Sequence, residues 1–546
     1  MVFTSELRRK LDQIRDYLYG GGYPDPLSNA EQLSFLFFFY MIESLDASNV
    51  RQSKALGRPY TSIFEGEWEI KNPINRPDDD TKAVSRDRMR WSEWAAAMNG
   101  QPLVNWVRNE VFPFFIEVGD RYGMNFMANA RLAIDDPVVL SQVITLINGL
   151  HLEEQDPDTK GDMFEHVLRQ IKQAGELGQF RTPRHIIRHI VELVNPKIGE
   201  TIYDPAAGTA GFLVAAYEYI RLANSSEAGI EETEVENKTY RRGSGDKLSN
   251  KQWRALQTET FYGNDVDGKM VSLATMNLTL RGLPDVRIMK RNVLTTTMGR
   301  ADKAKHHLPL DGYNVILANP PFSGRIDKDR IVEDVKIGTT TATEILFLKY
   351  MMDNLAPSGR CGVIVPEGIL FGSTGAHKEL RRMLIENNRV EAVLSLPGGV
   401  FQPYSGVKTS VLIFTRGKDR EKSATERVMF LHADQDGFKL DASHDTPIGS
   451  DDLPGLIAAF NSSDEMWEDW QARDPSKPWT EKWWFAEADA IRAEGFNLSA
   501  SRYRPDATEV VKHADPRDLL RELRDEAAAI LDEVDALATR LAEVQR

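Results

Sequence analysis

Cysteine is scarce in this sequence, and apolar runs long enough to cross a membrane are missing. Cys361 is the single cysteine among 546 residues, which excludes a disulfide framework and any cysteine-rich metal cluster. The most apolar stretch, LSFLFFFYMI at 33–42, is too short to span a bilayer and predicts a buried helix. The opening residues, MVFTSELRRKLDQ, lack the apolar segment of a signal peptide. We therefore expect a cytoplasmic protein with no membrane partner.

Positive charge is also in short supply. The chain has 67 Lys and Arg residues against 82 Asp and Glu, a formal net charge of -15. Affinity for phosphates comes mainly from Lys and Arg, so such an acidic chain binds nucleic acid poorly by itself. A role on nucleic acid would therefore need local basic patches or a partner that supplies positive charge.

Length and patterning predict several domains. At about 100–200 residues per domain, the chain suggests three or four. Leu7, Leu11, Ile14 and Leu18 recur at helical spacing near the start. The predicted division is a helical N-terminal domain at 1–155, an α/β domain at 156–420, a mixed region at 421–515 and a C-terminal helix at 516–546.

The α/β domain shows the pattern of a parallel sheet covered by helices. Apolar runs alternate with helical segments such as 212–223, 269–281, 344–355 and 377–386. The run 407–417 follows the previous one too closely for a helical crossover and predicts an antiparallel strand. The other predicted strands are 201–204, 261–266, 286–289, 313–319, 361–367 and 390–396.

Two motifs follow predicted strands. Asp204–Gly211 (DPAAGTAG) leads from a strand into an amphipathic helix, and its glycines let a ligand approach the backbone. The G-x-G-x-x-G pattern of a dinucleotide site is absent. The second motif, NPPF at 319–322, follows the strand YNVILA, and its two prolines hold the chain extended. An Asn side chain and the Pro320 carbonyl can then converge on one amino group, beside the flat face of Phe322.

These motifs, with GQFRTPR at 178–184, occur in an order that resembles adenine-N6 DNA methyltransferases. More narrowly, most of the chain is similar to the modification subunit of type I restriction–modification systems. The resemblance implies a Rossmann-like, S-adenosylmethionine-dependent methyltransferase sheet. It also implies two copies of this chain around one specificity subunit bound to DNA, and it leaves open whether a restriction (nuclease and translocase) subunit joins them.

The resemblance also implies roles for individual residues. Asp265, at the end of the second strand, matches the acidic residue that binds the cofactor ribose, with Asp267 as the alternative. Asn292 matches the position that reads the cofactor adenine. The catalytic residues implied are Asn319, Pro320, Pro321 and Phe322. The other cofactor-binding residues implied are Gln179, Phe180, Arg181, Thr182, Pro183, Arg184, Asp204, Ala206, Gly208, Thr209, Ala210 and Gly211.

These residue types suit methylation of an exocyclic amine. Hydrogen bonds from the N6 amino group to Asn319 and to the Pro320 carbonyl would orient it and stabilise its developing positive charge. A cysteine nucleophile is not needed, and we expect Cys361 to be a core residue. The target base must leave the duplex, and Phe322 would then stack on it. Three alternatives are a protein-glutamine N5 methyltransferase, a cytosine-N4 DNA methylase, in which Ser more often precedes the two prolines, and a non-catalytic S-adenosylmethionine-binding scaffold.

The final segment shows a heptad pattern. Apolar residues alternate at spacings of three and four, as in a coiled coil. The segment 517–546 has five basic and eight acidic residues, so it is a poor phosphate-binding element. We expect this helix to bind the specificity subunit, although packing on its own domain is the alternative. The seam residues are Leu520, Leu523, Ala527, Ile530, Val534, Leu537, Leu541 and Val544.

Overall fold

The fold is described by a computed structural model. It describes residues 5–56, 60–69, 83–121, 127, 130–173, 182–235, 238–283, 285–322, 324–402, 406–418, 425–441, 444, 446–505 and 524. The chain divides into two compact units, one of Met1–Trp470 with Lys482–Tyr503 and one of Gln471–Glu481 with Arg504–Arg546. None of the helices in the described ranges is long and apolar enough to cross a membrane.

The first part of the chain is helical, as its spacing predicts. Leu7, Leu11, Ile14 and Leu18 all point into the core, and the apolar run at 33–42 lies within one long helix. A short antiparallel pair, β1 (Glu67–Glu69) and β2 (Ala83–Ser85), follows that helix. The helices are α1 (Ser5–Gly20), α2 (Pro26–Leu56), α3 (Trp91–Trp94), α4 (Gly100–Trp106), α5 (Phe112–Arg121), α6 (Pro137–Asn148) and α7 (Pro157–Gln173).

Fifteen strands are described in total, and nine of them form the central sheet. The remaining strands are β3 (Ile202–Asp204), β4 (Ile230–Val235), β5 (Lys238–Gly243), β6 (Phe261–Asp265), β7 (Arg287–Lys290), β8 (Tyr313–Ala318), β9 (Leu355–Pro366), β10 (Asn388–Ser395), β11 (Thr409–Arg416), β12 (Arg427–His432), β13 (Asp436–Phe438), β14 (Pro447–Asp451) and β15 (Trp483–Glu487). The sheet order is β15-β12-β10-β11-β9-β8-β3-β6-β7.

The predicted Rossmann-like α/β class is confirmed. Strands β7, β6, β3, β8 and β9 are adjacent in that order, and each is parallel to the next. Strand β11 lies between β9 and β10 and is antiparallel to both, as the short connection before it predicts. Cys361 lies on β9 and is buried, as expected.

Helices fill the connections between strands. They are α8 (Arg184–Val194), α9 (Gly211–Ala223), α10 (Asn250–Thr258), α11 (Gly268–Leu280), α12 (Arg300–Lys305), α13 (Thr343–Asn354), α14 (Glu367–Phe371), α15 (Gly375–Asn387), α16 (Leu453–Asn461), α17 (Ser463–Ala472), α18 (Ala488–Ala493) and α19 (Ala500–Tyr503). The bounds of α9, α11, α13 and α15 agree with the four predicted helical segments to within one or two residues.

Two regions extend the sequence analysis. The polar segment 223–250 contains an antiparallel hairpin of β4 and β5. The mixed region at 421–515 supplies β12 and β15, which lengthen the sheet beyond β10. The boundaries at 155, 420 and 515 stay predictions. The predicted helix at 516–546 lies outside the described residues, apart from Arg524.

The helical part shares its core with the sheet domain. Met270, Leu273, Met276 and Leu280 of α11 belong to the same cluster of buried residues as the helices before residue 170. Buried apolar area contributes roughly 25 cal/mol per Å², so this shared core stabilises both parts together. Helix α11 is therefore held on one side by the helical part and on the other by the sheet.

Arg381 of α15 is a buried cation that joins three chain segments. Its guanidinium donates hydrogen bonds to the carbonyls of Phe496 (2.8 Å), Ile369 (2.9 Å) and Gly372 (2.9 Å). Only 2% of the residue is exposed. The neighbouring Arg382 instead forms an exposed pair with Glu379.

We predict that Arg381→Met lowers the free energy of unfolding by about 2–4 kcal/mol, because it leaves buried carbonyls without donors. Arg382→Met is the matched control and should change it by less than about 1 kcal/mol, as expected for a surface ion pair. Urea denaturation followed by circular dichroism measures both. Equal destabilisation by the two variants would contradict the role assigned to Arg381.

Candidate active site

The loop after β3 forms an open cradle of backbone. Asp204 Oδ1 accepts a hydrogen bond from the Ala206 N–H at 2.9 Å, which closes the turn. Gly208 (φ +51°) and Ala210 (φ +65°) both adopt the left-handed conformation. For alanine this is strained by roughly 1 kcal/mol or more, and such strain is typical of ligand-binding loops. A Cβ added at Gly208 would meet nothing within 4 Å, so the backbone there faces open space.

Asp265 ends the neighbouring strand β6 and faces this loop. Its Oδ2 accepts the Gly208 N–H at 3.0 Å, and its Oδ1 accepts the Asp267 N–H at 2.9 Å. Burial raises the pKa of Asp265 above its ordinary value, although these two donors favour the ionised form. Asp267 caps α11 by accepting the Lys269 N–H at 2.9 Å. Asp265 is therefore the carboxylate in direct contact with the cradle.

Asn319 follows β8, the strand on the other side of β3. Its Nδ2 donates to Thr182 Oγ1 at 2.9 Å. Its Oδ1 is buried and has no hydrogen-bond partner among the described residues. A buried amide oxygen without a donor typically costs 1–3 kcal/mol, so its presence calls for an explanation. Because β3, β6 and β8 run parallel, this acceptor lies at the same sheet edge as the cradle.

The rest of the NPPF motif frames Asn319. Pro320 is buried and Pro321 is exposed. The Pro321 carbonyl accepts a weak hydrogen bond from Thr343 Oγ1 at 3.4 Å. Phe322 is 8% exposed and packs edge-to-face on Phe401, with ring centroids 5.8 Å apart. The ring therefore has an aromatic neighbour from the loop after β10.

The segment before α8 is described from Thr182 onwards. Gln179, Phe180 and Arg181 lie outside the described residues. Thr182 is buried against Asn319, and Pro183 precedes the first turn of α8. The Arg184 guanidinium pairs with Glu165 and donates to the Gly211 carbonyl at 3.2 Å. Arg184 thus links Glu165 of α7 to Gly211, the last residue of the cradle.

A buried charge network, which the sequence analysis missed, supports the cradle. Arg281 is 2% exposed, and its Nη1 donates to Asn277 Oδ1 at 2.6 Å. Asn277 Nδ2 in turn donates to the Thr209 carbonyl at 2.8 Å. Arg281 Nη2 also lies 3.3 Å from Glu165 Oε2, the carboxylate that Arg184 binds. The available signal in the sequence was Asn277, a polar residue between Met276 and Leu278.

Asn292 lies apart from these contacts. It follows β7, and its Oδ1 accepts the Leu294 N–H at 3.1 Å, which closes a local turn. Among the described residues, no hydrogen bond joins its side chain to the cradle or to Asn319. Its assignment to the cofactor adenine stays a prediction.

The sheet order, the open cradle and the acidic strand end define the class of Rossmann-like methyltransferases. Within this class, the sequence pattern of the N-6 DNA methylase family matches residues 155–511. The chain therefore belongs to the N-6 DNA methylase family. This membership favours the DNA methylase interpretation over the protein-glutamine alternative.

Individual proteins with similar sequences are methylase subunits of type I restriction enzymes. The chain is 29% identical over 493 residues to the type I restriction enzyme EcoEI methylase subunit of Escherichia coli, covering 86% of this chain and 89% of the relative. It is 30% identical over 319 residues to the EcoKI methylase subunit of Escherichia coli K12, covering 55% of this chain and 54% of the relative.

Solved structures share the fold. A modification subunit of a putative type I restriction enzyme from Vibrio vulnificus superposes with a TM-score of 0.67 at 21% identity, covering 94% of this chain and 99% of the other. A chain from a type I restriction–modification system gives a TM-score of 0.63 at 24% identity, covering 99% of both.

Asp204 should make stability depend on pH. Burial raises the pKa of Asp204 to about 8, against about 3.9 in an unfolded chain. The folded state therefore holds a proton that the unfolded state releases, and stability falls as pH rises between these values. From this group alone we predict that the free energy of unfolding falls by about 2 kcal/mol between pH 6 and pH 8.

Asp204→Asn mimics the protonated carboxyl and should remove that part of the pH dependence. Asp311→Asn, at an exposed carboxyl, is the control and should follow the wild type. Chemical denaturation at pH 6, 7 and 8 provides the comparison. If Asp204→Asn keeps the wild-type slope, Asp204 is ionised in the folded protein.

Proposed function

We propose that this chain transfers a methyl group from S-adenosylmethionine to the N6 amino group of adenine in a specific DNA sequence. We further propose that it does so as the modification subunit of a type I restriction–modification complex. The observation that carries the proposal is the unpaired, buried Asn319 Oδ1 beside the open cradle. An incoming amino group would supply the donor that this oxygen lacks.

The cradle fits the proposed cofactor. The open space in front of Gly208 admits the cofactor at the backbone, with Asp204 and Ala206–Gly211 around its amino-acid part. Asp265 would accept hydrogen bonds from the two ribose hydroxyls. Thr182–Arg184 would close over the methionine end. When bound, S-adenosylmethionine supplies an electrophilic methyl group, and the protein supplies orientation.

The target amine is a weak nucleophile because its lone pair is delocalised into the adenine ring. Thr182 fixes the plane of the Asn319 side chain, so Oδ1 can receive an amino hydrogen without further reorganisation. The Pro320 carbonyl is the second acceptor proposed. These two acceptors would hold the amine in line with the methyl group and stabilise the positive charge that develops on nitrogen.

The base must reach the site outside the duplex. Base flipping costs a few kcal/mol, which stacking in the pocket offsets. Phe322 is the proposed stacking partner, and its packing on Phe401 preorganises the ring. Exposed Arg325, Lys328 and Arg330 follow the motif, but Asp327 and Asp329 alternate with them and dilute the positive charge.

Partners complete the proposed function. The net charge of -15 leaves sequence-specific DNA affinity to another chain. The relatives are named as subunits of type I restriction enzymes, and one solved structure concerns assembly of such a system. We propose two copies of this chain per specificity subunit, bound to DNA, with a restriction subunit as a further partner.

Two single variants should separate chemistry from cofactor binding. We predict that Asn319→Ala lowers the methylation rate by about 10²–10³-fold with nearly unchanged cofactor affinity, because it removes only the acceptor for the amine. Asp265→Ala should weaken cofactor binding, because it removes the ribose acceptor. Calorimetric titration and transfer of labelled methyl to DNA measure the two effects.

Each variant is the control for the other, and Asp267→Ala tests the ribose assignment. If Asp267→Ala loses cofactor affinity and Asp265→Ala does not, the ribose site lies two residues further along. Near-normal adenine methylation by Asn319→Ala would refute the proposed role of its Oδ1.

The heptad seam generates a separate prediction. Ile530→Asp puts a charge on the seam, and we expect it to abolish co-purification with the specificity subunit and site-specific methylation. Deletion of 517–546 should do the same, and both variants should still bind S-adenosylmethionine. Ala529→Asp places the same charge off the seam and should assemble normally. A purified chain that methylates a defined sequence alone, or a truncated chain that assembles normally, would contradict this prediction.

A further inference from the structure

Three potential metal-binding side chains meet outside the proposed methylation site. His185 is the second residue of α8, Asp436 begins β13, and His444 lies between β13 and β14. His185 Nε2 and His444 Nε2 lie 3.0 Å and 2.8 Å from Asp436 Oδ2. The three donor atoms all lie within 4.8 Å of one another. Asp436 and His444 are fully shielded from solvent at their side chains.

The orientation of His444 shows that this is more than an ordinary ion pair. Its Nδ1 lies 3.2 Å from the Val400 carbonyl, which can only accept, so Nδ1 carries a hydrogen. In the neutral ring Nε2 then presents a lone pair. That buried Nε2 has no hydrogen-bond partner among the described residues, although Asp436 Oδ2 is only 2.8 Å away. The lone pair on His444 Nε2 therefore points to one side of Asp436 Oδ2.

We propose that His185, Asp436 and His444 bind a divalent transition metal ion of the Zn²⁺ type. Two imidazole nitrogens and one carboxylate oxygen are a common protein ligand set for this ion, with water in the fourth position. Mg²⁺ and Ca²⁺ prefer all-oxygen sites, so they fit these donors poorly. The Val400 carbonyl orients the His444 ring, as a second partner of a metal-bound histidine usually does.

The surroundings support this assignment. The His185 ring stacks on Phe438, with centroids 4.3 Å apart, which fixes its orientation.

The proposed ion would join three segments near the methylation site. His185 follows the Thr182–Arg184 segment, and Val400 precedes Phe401, which contacts Phe322. The ion would therefore have a positioning role. It touches none of the residues that we assign to methyl transfer. The proposal stands independently of the proposed methylation.

The first test uses the wild-type chain without an affinity tag. After chelation and dialysis, titration with Co²⁺ should give visible absorption bands that saturate at one equivalent, and Zn²⁺ should bleach them. Excess Mg²⁺ should leave the bands unchanged. A wild-type chain that binds neither Co²⁺ nor Zn²⁺ would overturn the proposal.

Variants locate the site. We expect His444→Ala and Asp436→Asn to weaken Co²⁺ binding by about 100-fold or more, because each removes a ligand. His151→Ala is the control, because it removes the histidine of an exposed cluster with Glu153 and Glu154. Zn²⁺ should also raise the melting temperature of the wild type and of His151→Ala, but not of His444→Ala. Loss of binding in His151→Ala alone would place the metal at the exposed cluster and refute the proposal.

Discussion

The buried guanidinium of Arg281 is the constraint on which the site depends. Arginine keeps its charge in proteins, so a buried one must be surrounded by acceptors. Arg281 finds them in Glu165 of α7 and Asn277 of α11, with Asp162 of α7 3.5 Å away. Removing one partner of such a network typically costs 3–5 kcal/mol. Asn277 also donates a hydrogen bond to the Thr209 carbonyl. The network therefore links the position of the cradle to that of the helical part.

The side-chain oxygen of Asn319 differs from the acceptors around the cradle. The carbonyls of Thr209 and Gly211 have donors, as do both oxygens of Asp265. Asn319 Oδ1 has none among the described residues. A preorganised acceptor in a poorly solvated place is what a developing ammonium charge requires. Asn319 Oδ1 is therefore the side-chain acceptor that we propose for the substrate amine.

Local features of the sequence predicted much of this architecture. The apolar runs ending at Asp204, Asp265 and Ala318 mark strand ends, and parallel strands bring such ends to one edge. The short connection before 407–417 correctly predicted an antiparallel strand. Contacts between distant residues were not predictable in this way. The Arg281–Glu165 pair spans 116 positions and the His185–Asp436 pair spans 251, and neither has a sequence period. Strands β12 and β15 were missed because the mixed, tryptophan-rich composition of 421–515 gave no clear strand pattern.

The central claim is that this site directs methyl transfer to the N6 amino group of an adenine in DNA. Its most direct test is to incubate the assembled complex with S-adenosylmethionine carrying a labelled methyl group and DNA, and then to analyse the nucleosides by mass spectrometry. We predict that the label appears in N6-methyladenine. Label in N4-methylcytosine, or in glutamine of a protein with none in the DNA, would contradict the claim.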